Sequence, residues 1–437
     1  MTSTADPLAP TPVRSAPLIG PRLSVMMLLQ YAVWGIWLPY LANYLGSKPE
    51  NGGLGFTGGQ VGWILGLAAS IGALGAPFIA GQVADRFMNA ERALGLLLLV
   101  GGVLNVVLAH VHAFGPFLLV AIGYSIVYMP TLSLSNSIAF QNLPDPEKQF
   151  PPVRLWGTAG WVVASIGFTK LWLTHADPAV NNARIADALT ASGILSVVYA
   201  LYAFFGLPKT PPNRTAREPL AFKKAFGLLR NPSFLVVTLV ALPIAMIHQV
   251  YFMRAAPFFE QVVGVKPENF GPVLGIGQAS EALFLLVLAV LLKRLGYKTV
   301  LILGCLGYAA RFAIFALGQP APLVIASQAL HGLCYGCFFA GSFLFVEKVA
   351  GDDIRHSAQT VFGIIILGVG PILAGIYNSA VLGRFETANG VDYASIWWTQ
   401  SAVALFSALA LAVAFRYREN DRGHDTTAAG HHEGHLA

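Results

Sequence analysis

The chain has 437 residues, of which 55% are hydrophobic and only 11% are charged, and its mean hydropathy is +0.63. Because a soluble domain has about 25% charged residues, this composition excludes a water-soluble globular protein and predicts that lipid surrounds most of the chain. The formal net charge is +6, but the basic residues lie in short segments between apolar runs, which is typical of membrane topology. We therefore expect no nucleic-acid partner.

Residues 1–22 are rich in Pro, Ser, Thr and Ala, which predicts a disordered cytosolic segment. The apolar run that follows is too long for the core of a signal peptide. Twelve apolar stretches then recur, each with about the 20 residues that an α-helix needs to span a bilayer. The predicted spans are 23–45, 59–84, 92–110, 114–142, 153–173, 187–207, 232–258, 271–292, 299–317, 322–347, 358–382 and 394–415.

The longest polar segment between spans, residues 208–231, leaves six predicted helices on each side. The sequence therefore predicts an all-α membrane protein with one six-helix bundle at 23–207, a cytosolic central loop, and a second bundle at 232–416. Two such halves resemble the major facilitator architecture. We predict that residues 417–437 form a disordered, hydrated cytosolic tail. The tail contains four histidines, so weak metal binding by these side chains is the alternative.

The distribution of basic residues predicts the orientation of these spans. The termini, the central loop and the other loops on their side carry 20 of the 27 Lys and Arg residues. The opposite loops carry only Lys48, Arg184, Lys266 and Arg384. Because positive charge accumulates in cytosolic loops, we expect both termini in the cytosol.

The segment GQVADRF, from Gly81 to Phe87, follows the second span and resembles the cytosolic loop motif of major facilitators. Its glycine allows close helix approach, and Asp85 and Arg86 can form an ion pair at the membrane surface. We predict that Asp85 and Arg86 control conformational change and do not contact substrate. The basic run that accompanies the motif is replaced by MNAERAL, so an ordinary charged loop is the alternative.

Glu281 is an ionisable residue well inside a predicted span, in the segment GIGQASEALF. Gln278 precedes it by three residues, so both side chains share one helix face. A carboxylate in a membrane must be paired, hydrated or protonated. An apolar setting favours the protonated form, so Glu281 is a candidate proton carrier, with a structural hydrogen bond to another helix as the alternative.

The segment FPPVRLWGTAGW places Arg154, Thr158 and Trp161 at i, i+4 and i+7, on one face of the fifth span. A guanidinium, a hydroxyl and an aromatic ring suit a polar ligand that carries a planar ring. The alternative is that Arg154 extends to the cytosolic headgroups from a position near the start of its helix.

Other predicted spans carry similar pairs of amide and aromatic residues. Gln249 and Phe252 lie three residues apart, and Tyr335 and Phe339 lie four apart. Each pair alone is more typical of helix packing than of binding. Their occurrence on several spans favours a ligand site, whereas His248 and His331 lack an evident acidic partner and are interpreted as packing residues.

Four segments together resemble the nucleoside:proton symporter family of bacterial major facilitators. They are FPPVRLWGTAGW, YMPTLSLSNSI, GQASEALF and FVEKVAGDDIRHSAQ, and the likeness covers essentially the whole chain. The resemblance implies that the arginine after the double proline binds nucleoside. It implies a substrate site formed by Arg154, Thr158, Trp161, Gln249, Phe252, Gln278, Glu281, Tyr335 and Phe339, with Glu281 as the proton-coupling residue.

Two positions depart from the family pattern. Phe252 replaces an asparagine, which exchanges a hydrogen bond for stacking. Ala340 replaces an aspartate after the aromatic residue of the tenth span, so one acidic site is lost. The second departure leaves proton symport through Glu281 alone and uncoupled facilitation as alternatives.

The resemblance implies a multi-pass transporter of the bacterial inner membrane that imports nucleosides by alternating access, with the proton as coupling ion. A transporter for another polar solute, such as a sugar, is the alternative within the same class. An intramembrane enzyme would need a nucleophile with a base, or a metal cluster, at membrane depth. We expect no catalytic residue, no metal and no cofactor, and nothing in the sequence demands more than a monomer.

Overall fold

The computed structural model describes residues 18–75, 88–211, 227–350, 355–387 and 390–417. Asp85 and Arg86 lie outside the described residues, as does the histidine-rich tail. Most of the N-terminal segment and of the central loop also lie outside them.

Ten segments within the described ranges are long and apolar enough to cross a membrane. One of them, Pro267–Leu317, has 51 residues and bends at Gly296, whose φ of 73° is in the region that favours glycine. It therefore contains two of the predicted spans. Pro146–Trp172, a more polar helix of 27 residues, is the remaining one. The described ranges thus contain eleven of the predicted spans and the first part of the span predicted at 59–84, which is described as far as Gly75.

Short breaks divide some of the predicted spans, so the structure has more helical segments than the sequence has predicted spans. The helices are α1 (Ile19–Gly35), α2 (Leu38–Gly46), α3 (Gly58–Gly75), α4 (Ala90–Ala109), α5 (Phe114–Asn142), α6 (Pro146–Trp172), α7 (Pro178–Ala183), α8 (Ala186–Phe205), α9 (Pro232–Gln261), α10 (Phe270–Leu317), α11 (Ala321–Val349), α12 (Arg355–Ile364, continued by Ile365–Val369 and Gly370–Ala380) and α13 (Tyr393–Ala414). Strands β1 (Glu386–Thr387) and β2 (Gly390–Val391) form an antiparallel pair before α13.

The described helices form two compact units. The first comprises the described parts of Met1–Phe56, Ile71–Ala216 and Lys266–Pro272. Within it, α1 packs along α6, and α4 packs along α8. A Cβ atom on Gly102 would lie 2.8 Å from the carbonyl oxygen of Gly193, so glycine is required for this close approach, as is common between membrane helices.

The second unit comprises the described parts of Thr57–Ser70, Arg217–Val265 and Val273–Ala437. Here α9 packs against α12 and α13, and α3 packs against α12. Aromatic rings fill the interior: Trp397 stacks on Phe312 with centroids 5.4 Å apart, and Phe258 stacks on Phe315 at 5.3 Å.

The start of α13 carries an N-terminal cap outside the apolar segment. Asp392 accepts hydrogen bonds from the backbone N–H of Ser395 at 3.0 Å and from its hydroxyl at 2.6 Å. These bonds favour the carboxylate and hold the pKa of Asp392 below its usual value. The cap therefore fixes the point at which the chain enters its last helix.

Candidate functional site

Arg154 lies in the third turn of α6, which begins after its N-cap, Asp145. Its guanidinium carbon lies 4.0 Å from the centre of the Tyr31 ring of α1, a cation–π contact. A Cβ atom on Gly157 would lie 2.7 Å from an Arg154 nitrogen and 2.6 Å from Cδ2 of Tyr31. The glycine therefore makes room for the pair. Arg154 is half-buried, so its side chain is held against a helix of the protein.

The next two predicted residues follow along α6 in the same unit. Thr158 is half-buried. Trp161 is only 6% exposed, and a Cβ atom on Gly35 of α1 would lie 2.6 Å from its carbonyl oxygen. Trp161 is thus a packing residue of the α1–α6 interface as well as a predicted ligand contact.

A buried polar network on α1 and α5 supports the position of Tyr31. The amide of Gln30 donates to the Thr131 hydroxyl at 2.8 Å, and the Tyr128 hydroxyl donates to the Gln30 carbonyl at 2.6 Å. Because each bond joins α1 to α5, the network fixes the register of the helix that carries Tyr31.

The second unit gathers several predicted residues around His248 of α9. Five rings surround it with centroids 5.1–6.0 Å away; we call this group the His248 cluster. Its surrounding members are Phe252, Tyr308, His331, Tyr335 and Phe339. Nδ1 of His248 also lies 2.7 Å from the Tyr308 hydroxyl. The structure therefore brings three predicted aromatic residues together around a histidine that the sequence suggested was only a packing residue.

Gln249, the neighbour of His248, uses part of its amide for structure. Its Nε2 donates to the carbonyl of Leu65 in α3 at 2.7 Å. This bond fixes the orientation of the side chain, which is half-buried.

Gln278 and Glu281 of α10 meet at His331 of α11. Oε2 of Glu281 lies 3.7 Å from Nε2 of His331, and Nε2 of Gln278 lies 3.4 Å from the same atom. The Glu281 side chain is only 12% exposed. The interpretation of His331 as a histidine without an acidic partner is therefore wrong, because the partner lies on another helix.

Two buried polar residues in this region were missed by the sequence reasoning. Arg311 and Gln328 have no exposed surface. Arg311 donates to Nδ1 of His331 at 2.9 Å and to the amide oxygen of Gln328. An arginine in the middle of an apolar span was the available signal, since such charges mark functional sites.

Ala340, where the sequence suggested a lost acid, lies in apolar surroundings. It packs against a buried group formed by Leu288, Val300 and Cys337. Among the residues that the structure describes, no group of three or more His, Cys, Asp or Glu side chains could hold a metal ion.

Comparison with known proteins agrees with this architecture. A family model described as "Nucleoside H+ symporter" matches residues 19–420. The chain is 31% identical over 423 residues to the xanthosine permease of Escherichia coli strain K12, covering 92% of this chain and 97% of the permease. It is 28% identical over 418 residues to the nucleoside permease NupG of the same organism, covering 91% of this chain and 96% of NupG.

The same likeness holds in three dimensions. A crystal structure of the nucleoside transporter NupG superposes with a TM-score of 0.79 at 25% identity, covering 92% of this chain and 100% of that one. The predicted fold, a twelve-helix major facilitator, is thereby confirmed.

Proposed function

We propose that this chain, which belongs to the nucleoside H+ symporter family, is a transporter that imports nucleosides by alternating access together with protons. The family model spans all of the described helices, from Ile19 to Ala414. Relatives named for nucleoside or xanthosine transport cover more than nine-tenths of the chain. The cargo is therefore expected to be a purine or pyrimidine nucleoside, and the coupling ion a proton.

The observation that carries this proposal is the His248 cluster beside Gln278 and Glu281. A nucleoside has a flat base and a ribose with hydroxyl groups, so it needs both a stacking surface and hydrogen-bond partners. The ring centroids of Tyr335 and Phe339 lie 5.4 Å apart in this cluster. Stacking of a base on such an aromatic ring contributes about 1–3 kcal/mol. A carboxylate and an amide on the adjacent helix suit ribose hydroxyls and base edges.

We assign nucleoside contacts to the nine residues that the sequence predicts. They are Arg154, Thr158, Trp161, Gln249, Phe252, Gln278, Glu281, Tyr335 and Phe339. Support differs among them. The cation–π contact of Arg154 and the grouping of Tyr335, Phe339 and Phe252 favour a role in binding, whereas Trp161 and Gln249 also hold helices together.

Proton coupling is assigned to Glu281. Its carboxylate is mostly buried and lies beside His331. A buried charge is costly in apolar surroundings, and protonation of Glu281 would remove it. The apolar packing of Ala340 favours one alternative, an uncoupled nucleoside facilitator, because the second acidic site of the family is absent from this position.

Location and assembly follow from the sequence pattern. We propose a multi-pass protein of the bacterial inner membrane with both termini in the cytosol, because basic residues accumulate on that side and the relatives are proteins of Escherichia coli. Asp85 and Arg86 are proposed to control conformational change. We expect a monomer surrounded by lipid, without enzymatic activity and without a nucleic-acid partner.

The proposal is tested by uptake of labelled uridine and adenosine into proteoliposomes, with and without an inward proton gradient. We expect saturable uptake that rises with the gradient and is inhibited by unlabelled nucleosides. Unlabelled glucose and lactose, added at the same concentrations, test the alternative that the protein transports sugars. Inhibition by these sugars, without inhibition by nucleosides, would refute the substrate assignment.

A further inference from the structure

Arg311 is a charged residue held entirely inside the second unit. It has no exposed surface, and its guanidinium carbon lies 4.1 Å from the centre of the Tyr251 ring. Gln328 accepts a hydrogen bond from Arg311 and donates through Nε2 to the Tyr251 hydroxyl at 3.0 Å. These contacts fix the guanidinium in one place, so its charge is a permanent feature of the site.

The contact between Arg311 and His331 determines the tautomer of the histidine. Nη1 of Arg311 lies 2.9 Å from Nδ1 of His331, and a guanidinium can only donate hydrogen bonds. Nδ1 must therefore accept, which leaves the single ring proton on Nε2. A doubly protonated His331 would place a second positive charge and a competing N–H against Arg311.

The Nε2–H of His331 faces Glu281. The amide nitrogen of Gln278, which is also a donor, lies 3.4 Å from Nε2 of His331. Oε2 of Glu281, an acceptor, lies 3.7 Å from Nε2, which is beyond direct hydrogen-bond distance. We expect this distance to shorten when substrate binds, as contacts in unliganded sites commonly do. Gly332 donates to the Ser280 hydroxyl at 2.9 Å, which holds α11 against α10 next to this pair.

Other titratable groups also surround this contact. Tyr308 and Arg311 lie on the second half of α10, Tyr335 and Cys334 on α11, and His248 on α9. Of these, only Arg311 carries a permanent charge, and its described partners Gln328, Tyr251 and His331 are neutral. The contact from Arg311 to His331 therefore continues from His331 to the carboxylate of Glu281.

We propose that Arg311 and His331 are positioning residues for the coupling carboxylate. Arg311 fixes His331 as the neutral Nε2–H tautomer, and the two together favour the ionised form of Glu281 and its release of the proton. The proton passes from water on the entry side to Glu281 and from Glu281 to water on the exit side, and His331 does not carry it. This inference rests on the proposed function, since it concerns the coupling step of nucleoside import.

The first test measures uridine binding to the purified full-length protein as a function of pH. In Arg311→Gln, Glu281 should keep its proton to higher pH, so the midpoint of the pH dependence should rise, by up to about one unit, since an opposite charge produces larger shifts only at closer range and Arg311 acts across His331. Arg311→Lys, which keeps the charge, should remain near the wild type. His331→Gln should still show pH-dependent binding, because its amide can donate to Glu281.

Arg254→Gln is the matched control, since Arg254 is also a buried arginine, 6% exposed, but pairs with Glu386. Its midpoint should not move. Thermal unfolding and size exclusion establish that each variant is folded. An unchanged midpoint in a folded, uridine-binding Arg311→Gln would overturn the inference, as would loss of all pH dependence in His331→Gln with binding retained. Failure of the wild type to bind nucleosides would instead refute the proposed function.

The second test does not depend on transport. Histidine labelled with ¹⁵N in the whole protein gives NMR signals that distinguish the two neutral tautomers from the charged ring, and His331→Gln identifies the signal of His331. We expect the neutral Nε2–H form across neutral pH. A charged ring, or a proton on Nδ1, would contradict the inference.

Discussion

At the scale of single residues, two features of α6 decide what Arg154 can do. The face that it shares with Thr158 is a property of helical periodicity and was predicted. Its contact with Tyr31 at 4.0 Å depends on Gly157, because any side chain there would occupy the same space. A residue that was ambiguous between lipid headgroups and a binding role is thus held against an aromatic ring of another helix.

Replacement of Arg154 tests its binding role directly. Arg154→Ala should weaken nucleoside binding by about 1 kcal/mol or more, the value of a lost charge-assisted hydrogen bond. Arg154→Lys should bind nucleoside nearly as weakly as Arg154→Ala, because an ammonium cannot reproduce the contacts of a planar guanidinium. Equilibrium binding of labelled uridine measures both, and Lys148→Ala, an exposed position on the same helix, is the control. Wild-type affinity in both Arg154 variants would favour the headgroup role.

A second prediction at this scale concerns Gly157. Gly157→Ala should displace Tyr31 and Arg154 and lower the free energy of unfolding by about 1–3 kcal/mol, as overpacking does, with weaker uridine binding. Gly167→Ala on the same helix is the matched control, since a Cβ atom there would meet nothing within 4 Å. Thermal unfolding in detergent compares the two. Equal stability of both variants would contradict the tight packing at Gly157.

At the scale of helices and strands, Arg254 of α9 joins three other elements of its unit. It donates to the Asn378 side chain of α12 at 2.7 Å and pairs with Glu386 of β1 at 2.6 Å. Asn378 in turn donates to the carbonyl of Gly58, at the start of α3, at 2.6 Å. A single buried guanidinium therefore connects α9, α12, the strand pair and α3.

Loss of this connection should be measurable as a loss of stability. Arg254→Gln should lower the free energy of unfolding by about 1–3 kcal/mol, because buried partners lose their hydrogen bonds. The double variant with Glu386→Gln should be less destabilised than the sum of the single variants, since the two residues share one contact. The exposed pair of Lys48 and Glu50, 3.8 Å apart, is the control, and Glu50→Gln should have almost no effect. Additive losses at Arg254 and Glu386 would show that they do not interact.

At the scale of the whole molecule, transport requires that protonation and nucleoside binding affect each other, and this coupling is reciprocal. Glu281 is the proposed link because it lies beside both Gln278 and His331. The prediction is that Glu281→Gln removes the dependence of nucleoside uptake on the proton gradient. Exchange of labelled for unlabelled nucleoside should persist, because exchange does not require the return of an empty carrier.

Proteoliposomes with an imposed pH gradient provide the measurement, and Glu50→Gln, which changes an exposed side chain, controls for the loss of a carboxylate elsewhere. Uptake by the wild type that ignores both proton and sodium gradients would contradict coupling. Facilitated diffusion would then be the better description, in line with Ala340 at the position of the second acid.

The sequence by itself indicated the twelve apolar spans and their approximate positions, because a span is a local run of apolar residues whose length the bilayer sets. It also placed Glu281 inside a span and Arg154 on one helix face with Thr158, since burial cost and helical periodicity depend only on near neighbours in the chain. Its interpretation of His331 failed, and it did not identify Arg311.

Only the tertiary structure decided which polar residues lie in contact. Arg311 and Glu281 lie 30 residues apart on two halves of α10, and the residue between them in space, His331, belongs to α11. It likewise decided that the amide of Gln249 binds the carbonyl of Leu65 and that Trp161 is packed inside a helix interface. Such contacts depend on which helices pack together in the folded protein. Every apolar helix is compatible with lipid, so the sequence of one helix says little about which other helix packs against it.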